Sequence, residues 1–264
     1  MNIKEIEPTA QNINESIFEE DLSILIDELI KLKFEEINEG KKYSVIKQHL
    51  FDYINNHKLN SLELYNWLLN NQNDSNSICL LGYFNYHGIE TNINNQRAFE
   101  LFQKAVELGN NLAQYYVANM CLGGVYKNYE KVFDLSKKLA EKEYPAGINL
   151  LGYCYDYGIG TINLKKAFEL YQKAAELGNS YGISNLGCCY KDGTGTDINI
   201  QKAIELYQKA ANLGNDFAQY NLALMYEHGN GIQKDIDKAI YWYKKSAEQG
   251  DKNAQIKLEI LSNQ

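Results

Sequence analysis

The chain is poor in proline, in arginine and in long apolar runs. Only 2 of its 264 residues are proline, which favours long helices over rigid loops. Of the 26 basic residues only Arg97 is arginine, and the formal net charge is -8. Nucleic-acid recognition draws on basic clusters and bidentate Arg contacts, so nucleic acid is not an expected partner. There is no apolar run of the roughly 18 residues that a membrane helix needs, so no membrane span is expected. The start, Met-Asn-Ile-Lys-Glu-Ile-Glu-Pro, has no apolar core of a secretory signal, and a cytoplasmic location is the expectation. Neither Cys-x-x-Cys nor His-x-x-x-His occurs, so no zinc site is expected, and no cofactor either. The five cysteines, Cys79, Cys121, Cys154, Cys188 and Cys189, are odd in number and irregular in spacing, which reads as reduced thiols.

Charge is unevenly spread. Residues 1–39 hold 3 lysines against 11 acids, and the remainder balances to zero. A boundary is therefore expected near residue 40.

What the chain does have is self-similarity. Arg97-AFELFQKAVELG-Asn110, Lys166-AFELYQKAAELG-Asn179, Lys202-AIELYQKAANLG-Asn215 and Lys238-AIYWYKKSAEQG-Asp251 read almost alike, and Lys131-VFDLSKKLAEKE-Tyr144 is a worn copy. Their anchors, Ala98, Val132, Ala167, Ala203 and Ala239, are spaced by 34, 35, 36 and 36 residues. Upstream of each lies a second pattern. Small residues at Ser77, Ala113, Gly147, Gly182 and Ala218 are followed five places on by Gly82, Ala118, Gly152, Gly187 and Ala223. Apolar positions at offsets of three and four mark one helix face; this is helix A. A glycine turn at Gly88, Gly124, Gly158, Gly193 and Gly229 ends it. Asn94, Asn128, Asn163, Asn199 and Asp235 are N-cap candidates for helix B, which ends at Gly109, Gly178, Gly214 and Gly250. Copy two carries Glu143 at that place, so its turn is expected to close differently, helped by Pro145. One helical pair of about 36 residues cannot bury its own apolar face, so the pairs must stack.

At this point the chain resembles the Sel1-like repeat family, relatives of the tetratricopeptide repeat. The shared motif is A-x-x-x-L-G-x-x-Y-x-x-G-x-G followed by D/N-x-x-K-A and the K-A-A-E-x-G end. The copy at 218–253 fits best; copy two departs most, with Val132 for Ala and Ser136 for Tyr. The resemblance implies an all-α, right-handed α-solenoid of helix–turn–helix repeats with a helical N-terminal cap. The expected division is a segment at 1–75, five repeats at 77–112, 113–146, 147–181, 182–217 and 218–253, and a capping helix at 254–264. Residues 41–75 also resemble the lead-in to such repeats in some fungal kinase-like proteins, although no kinase motif is present here.

Within the first segment, Phe18, Leu22, Leu25, Leu29 and Leu32 space out an amphipathic helix over 16–37. It is read chiefly as a cap, with a docking helix or dimer arm as the alternative. A second helix is expected over 43–55 and a third after Ser61 as N-cap, with Asn70–Ser77 as a turn.

Candidate chemistry is sparse. The Gly-x-Gly pairs follow helices and lack the rest of a phosphate motif, so they read as turns. His87 and His228 share a repeat position with Tyr157 and Asp192, which suggests a turn or surface role. Cys154 and Cys189 share one with Phe84, Met120 and Met225, so buried thiols are expected. Tyr155, Tyr171, Tyr190, Tyr207, Tyr226 and Tyr243 read as core. By analogy with tetratricopeptide repeats, the opposite stripe of helix A lines a concave face. Tyr83, Tyr115, Asn119, Asn149, Tyr153, Asp156, Tyr220 and Glu227 are its candidate partner-binding residues, because Tyr and Asn suit peptide recognition. The expected function is a protein–protein interaction scaffold or adaptor that takes a protein or peptide and serves in signalling. No catalytic residue is assigned and a monomer is expected. The alternatives are an accessory region of a kinase-like protein and a hydrolase with an unrecognised site.

Overall fold

The computed structural model describes residues 19–123 and 126–262. Phe18 and Gly124, both singled out above, lie outside the described residues. Among the described residues there are fourteen α-helices and no strand. The lead-in comprises α1 (Glu19–Glu39), α2 (Tyr43–Asn56) and α3 (Ser61–Asn70). The A helices are α4 (Ser75–His87), α6 (Asn111–Leu122), α8 (Pro145–Asp156), α10 (Ser180–Asp192) and α12 (Asp216–His228). The B helices are α5 (Asn95–Glu107), α7 (Tyr129–Glu141), α9 (Leu164–Glu176), α11 (Ile200–Asn212) and α13 (Ile236–Glu248). A last helix, α14 (Lys252–Ser262), packs on α13. Each A helix packs on its own B helix and each B helix on the next A helix, so the molecule is an all-α repeat array.

Local chemistry places most of these boundaries in the repeats. The side-chain oxygens of Asn94, Asn128, Asn163, Asn199 and Asp235 accept from the third backbone N–H of each B helix, at 2.9–3.0 Å. Such a cap satisfies an amide that the helix itself leaves open. Asn110, Asn179 and Asn215 cap the A helices in the same way at 2.8 Å. The small residues of helix A are contact points. A Cβ on Gly152 would meet the Tyr171 ring at 2.9 Å, and one on Gly82 would meet Phe102 at 2.9 Å. Copy two puts Ala118 at the corresponding place and replaces the facing ring by Ser136, which is fully buried against Cys154 at 3.7 Å. Tyr171, Tyr207 and Tyr243 are fully buried, as the repeat pattern requires.

Glu143 corrects one expectation. It takes φ +61°, beside +85°, +86°, +86° and +92° at Gly109, Gly178, Gly214 and Gly250. Its N–H donates to Ala140 and that of Tyr144 to Leu139, the same pair of bonds that Gly109 and Asn110 make. The turn in copy two therefore closes as the others do. A Cβ in the left-handed region costs about 1–2 kcal/mol, which the surrounding repeats impose on this residue. Pro145 is only the first residue of α8.

Two smaller corrections concern the lead-in. Asn60, not Ser61, caps α3, accepting from Leu62 and Glu63. The turn before the first repeat is shorter than expected, because Asp74 caps α4 and the helix starts at Ser75.

Candidate partner-binding face

The face of the A helices that their B helices leave free is not empty along its whole length. α1 lies across α4, α6 and α8, with Leu22, Ile26, Leu29, Ile30 and Ile37 buried. Its apolar stripe needs an apolar surface, and the A helices of the first repeats supply one. Asp27 accepts from Asn76 at the start of α4 at 2.8 Å. Phe34 meets the Tyr144 ring edge-on at 4.6 Å. Beyond α1 the chain continues over the N-termini of the later A helices. Asn38 accepts from the Ala146 N–H at 3.2 Å through its side chain and from Asn179 at 2.8 Å through its carbonyl. Ser180 Oγ donates to the Gly40 carbonyl at 2.7 Å. Lys42 Nζ reaches Asp216 at 2.7 Å. Through these contacts the first segment touches every repeat, so it is a strap along the array and not merely a cap on its end.

The strap decides what the candidate residues can do. Tyr83 is fully buried, with Lys33 Nζ 3.8 Å from its ring centroid. It is not open to a partner here, because α1 covers it. Glu227 is engaged by the end of the array: Tyr243 donates to it, and Lys257 of α14 donates to both its oxygens at 2.9 and 3.0 Å. Asp156 accepts from Tyr171 at 3.3 Å. Burial raises its carboxyl, with the Tyr171 hydrogen bond working against that. Tyr220 is half-buried beside Tyr243, ring centroids 5.6 Å apart.

Four candidates do come together. Tyr115, Asn119, Asn149 and Tyr153 line one chamber of about 340 Å³ on α6 and α8. Tyr181 and Asn185 of α10 extend it, and Ile37 and Lys41 of the strap with Tyr43 of α2 form its far wall. Asn185 donates to Asn149 Oδ1 at 2.9 Å, and Asn119 donates to the Tyr115 carbonyl at 2.9 Å. Burial drives the phenols of Tyr43 and Tyr115 above their ordinary value. The lining is thus neutral hydroxyl and amide groups on an aromatic frame, with Lys41 held by Glu36 and Glu39. Tyr181 and Asn185 sit four apart on one helix face, so that pair carried a readable signal. Ile37, Lys41 and Tyr43 come from far away in sequence and carried none.

His87 differs from the expected surface or turn role. Its ring packs 4.2 Å from that of Tyr83, and burial, then Lys33 and Lys47, lowers it to about 4. His228, at the same repeat position, is exposed. Cys154 and Cys189 are buried free thiols, and burial pushes Cys189 up to about 12. The histidine side-chain hydrogen bonds among the described residues go to Glu36 and to the Tyr53 carbonyl, not to Cys or Ser. No group of three or more His, Cys, Asp or Glu among the described residues could hold a metal ion, and none of the described helices is long and apolar enough to cross a membrane.

A sequence model of the Sel1 repeat matches residues 75–110, 111–144, 145–179, 180–215 and 216–251. Its copies begin two residues ahead of the bounds read from the spacing. A Sel1 repeat protein from Oxalobacter formigenes is 28% identical with a TM-score of 0.59, over 73% of this chain and 86% of that one. A protective antigen of uropathogenic Escherichia coli with an SLR fold is 30% identical with a TM-score of 0.55. That match covers 77% of this chain but 45% of the antigen. An immunity protein from Pseudomonas aeruginosa is 26% identical with a TM-score of 0.51, over 67% of this chain and 66% of that one. Comparison with the curated proteins gave no match.

Proposed function

The chain belongs to the Sel1 repeat family, whose members are generally protein-interaction modules, and on that footing we propose that it binds a protein or peptide through the A-helix face of repeats two to four. One observation carries the reading: the chamber of about 340 Å³ in which Tyr115, Tyr153, Tyr181 and three asparagines converge. The repeat fold needs none of these side chains for its core, because the buried positions of the A helices are filled by others. Tyrosine offers a large apolar body with a hydrogen-bonding tip, and such residues dominate interface energies. Asn149 has its oxygen occupied by Asn185 and leaves its amide N–H groups to a peptide carbonyl. Asn119 has the complementary arrangement, with its oxygen able to accept from a peptide N–H. A donor and an acceptor about one repeat apart suit an extended main chain, and the chamber suits one apolar or aromatic anchor of that peptide.

The test is selection of displayed peptides on the immobilised full chain, followed by affinity measurement. Tyr153→Ala is expected to weaken selected peptides by about tenfold or more, since truncating a hot-spot residue costs on the order of 2 kcal/mol. Glu205→Ala, on the B-helix side of the array, should leave them unchanged. Peptides that bind both variants equally would reject this face as the binding surface.

A further inference from the structure

α1 carries charge into the surface it buries. Lys33 is 1% exposed and Glu36 is 2% exposed. An ammonium has three donors to satisfy. Lys33 makes a 3.4 Å hydrogen bond to the Ile46 carbonyl and otherwise lies over the Tyr83 ring. Eight buried side-chain polar atoms lack a partner among the described residues. Four of them meet at this one interface: Glu36 Oε2, Tyr83 Oη, Tyr116 Oη and His87 Nε2. Buried polar groups in folded proteins are almost always paired, so the middle of α1 sits on a surface that holds it imperfectly. Its C-terminal end is held differently, by the well-formed bonds of Asn38, Gly40 and Lys42 to α8, α10 and α12. Gly40 supplies a bend at φ +74°.

We propose that Glu19–Lys42 is a displaceable strap: α1 leaves the A-helix face while the repeats stay folded, falling pH favours its release, and the surface it vacates takes an amphipathic helix in trans. The repeats do not need α1 for their pairing, because every A helix is packed on a B helix; what α8 loses on release is the bond of Asn38 to the Ala146 N–H in its first turn. Release uncovers Tyr83, over whose ring Lys33 lies, and takes Ile37 and Lys41 out of the chamber's wall, so strap and partner site are coupled through those two residues. An amphipathic helix fits the vacated face because one already fills it.

The pH sense follows from the groups around Lys33. They are Glu36 on α1, Cys79, Tyr83 and His87 on α4, Tyr43, Lys47 and His49 on α2, and Tyr116 on α6. Burial, with Glu36 and Cys79 opposing it, lowers Lys33 to about 7. Free of the interface it returns towards 10.5 and takes up a proton that the docked helix refuses. Docking therefore weakens by about tenfold per pH unit as pH falls from about 9 to about 7; above about 9 the trend is opposed, because burial holds the Cys79 thiol well above its ordinary value in the docked state. His87, lowered to about 4 by burial, adds the same sense between about 6.5 and 4.

The experiment is hydrogen exchange on the full chain, with the opening of α1 taken relative to α10 in the same sample so that intrinsic exchange cancels. The expected result is a ratio that rises about tenfold per pH unit from pH 9 to pH 7.5. In Lys33→Met the slope should vanish and α1 should open less at pH 7.5. A labelled synthetic peptide of residues 19–42 should enter the chain faster at pH 7.5 than at pH 9. If α1 exchanges only with α10 at every pH, or if peptide uptake does not depend on pH, the proposal is overturned. The wild-type pH profile decides the matter even if the Lys33 variant does not fold, and no outcome depends on the peptide-binding chamber being correct.

Discussion

His87 and His228 close the A helices of the first and fifth repeats at the same place in the pattern. His228 stands exposed at the chain's open half. His87 is packed among Tyr43, Tyr83 and Tyr86 beneath the lead-in, with a ring nitrogen left unpaired. The same contrast separates Tyr83, fully buried, from Tyr220, half-buried, although both belong to the outward stripe of their helices. Repeat position fixes where a side chain points on its own helix. What lies over that stripe is decided by the strap, which lies as a helix across repeats one to three and thins to a loop over repeats four and five. Equivalent residues therefore have different energies and different access to partners.

That contrast can be broken or sharpened by substitution. The largest effect expected is at Tyr83. Tyr83→Ala empties a sealed site beneath α1 and should cost about 3–5 kcal/mol in urea unfolding, whereas Tyr220→Ala should cost under about 1 kcal/mol. Equal costs would mean that α1 does not cover the first repeat in solution. Next comes Gly195, whose φ is +69° and whose Cβ would stand 2.2 Å from the Leu164 carbonyl oxygen. Gly195→Ala should lose about 2 kcal/mol or more. The first repeat fills the corresponding place with Glu90 at φ +53°, so Glu90→Gly should move the melting temperature the other way. Glu143→Gly should stabilise by about 1 kcal/mol by relieving the same strain; no gain would show that the repeat does not force that backbone.

The smallest effect is in acid, at the far end. Burial raises the Glu227 carboxyl, but hydrogen bonds from Tyr243 and Lys257 and the charges of Lys257 and His228 outweigh it and bring it below its ordinary 4.5. A lowered carboxylate contributes stability above its ordinary value, and that contribution is lost as pH falls through the folded value. The opening of α14, taken relative to α10 in the same sample, should thus be greater at pH 3 than at pH 6, and Lys257→Met should flatten the difference. The strap loosens over a different range, as pH falls from about 9 to about 7, so the two ends of the molecule can be told apart by titration alone.

Much of this was legible beforehand. The five pairs, their caps, the apolar role of Cys154 and Cys189 and the buried tyrosines of the B helices all follow from spacings of three, four and thirty-six. Half of the candidate face was legible too: Tyr115, Asn119, Asn149 and Tyr153 do meet in one chamber. Tyr83 and Glu227 were misplaced for one reason. Each is occupied by a segment remote from its own repeat, α1 in one case and α14 in the other.

Caps, turns and packed faces are short-range matters, settled by residues within a turn or two of helix, so the linear order of side chains was enough to determine the array. The amphipathic stripe of α1 determined only that it must be buried somewhere. Which surface would bury it was a competition among distant apolar faces, and only the tertiary structure settled it, by laying Leu22 to Ile37 across α4, α6 and α8.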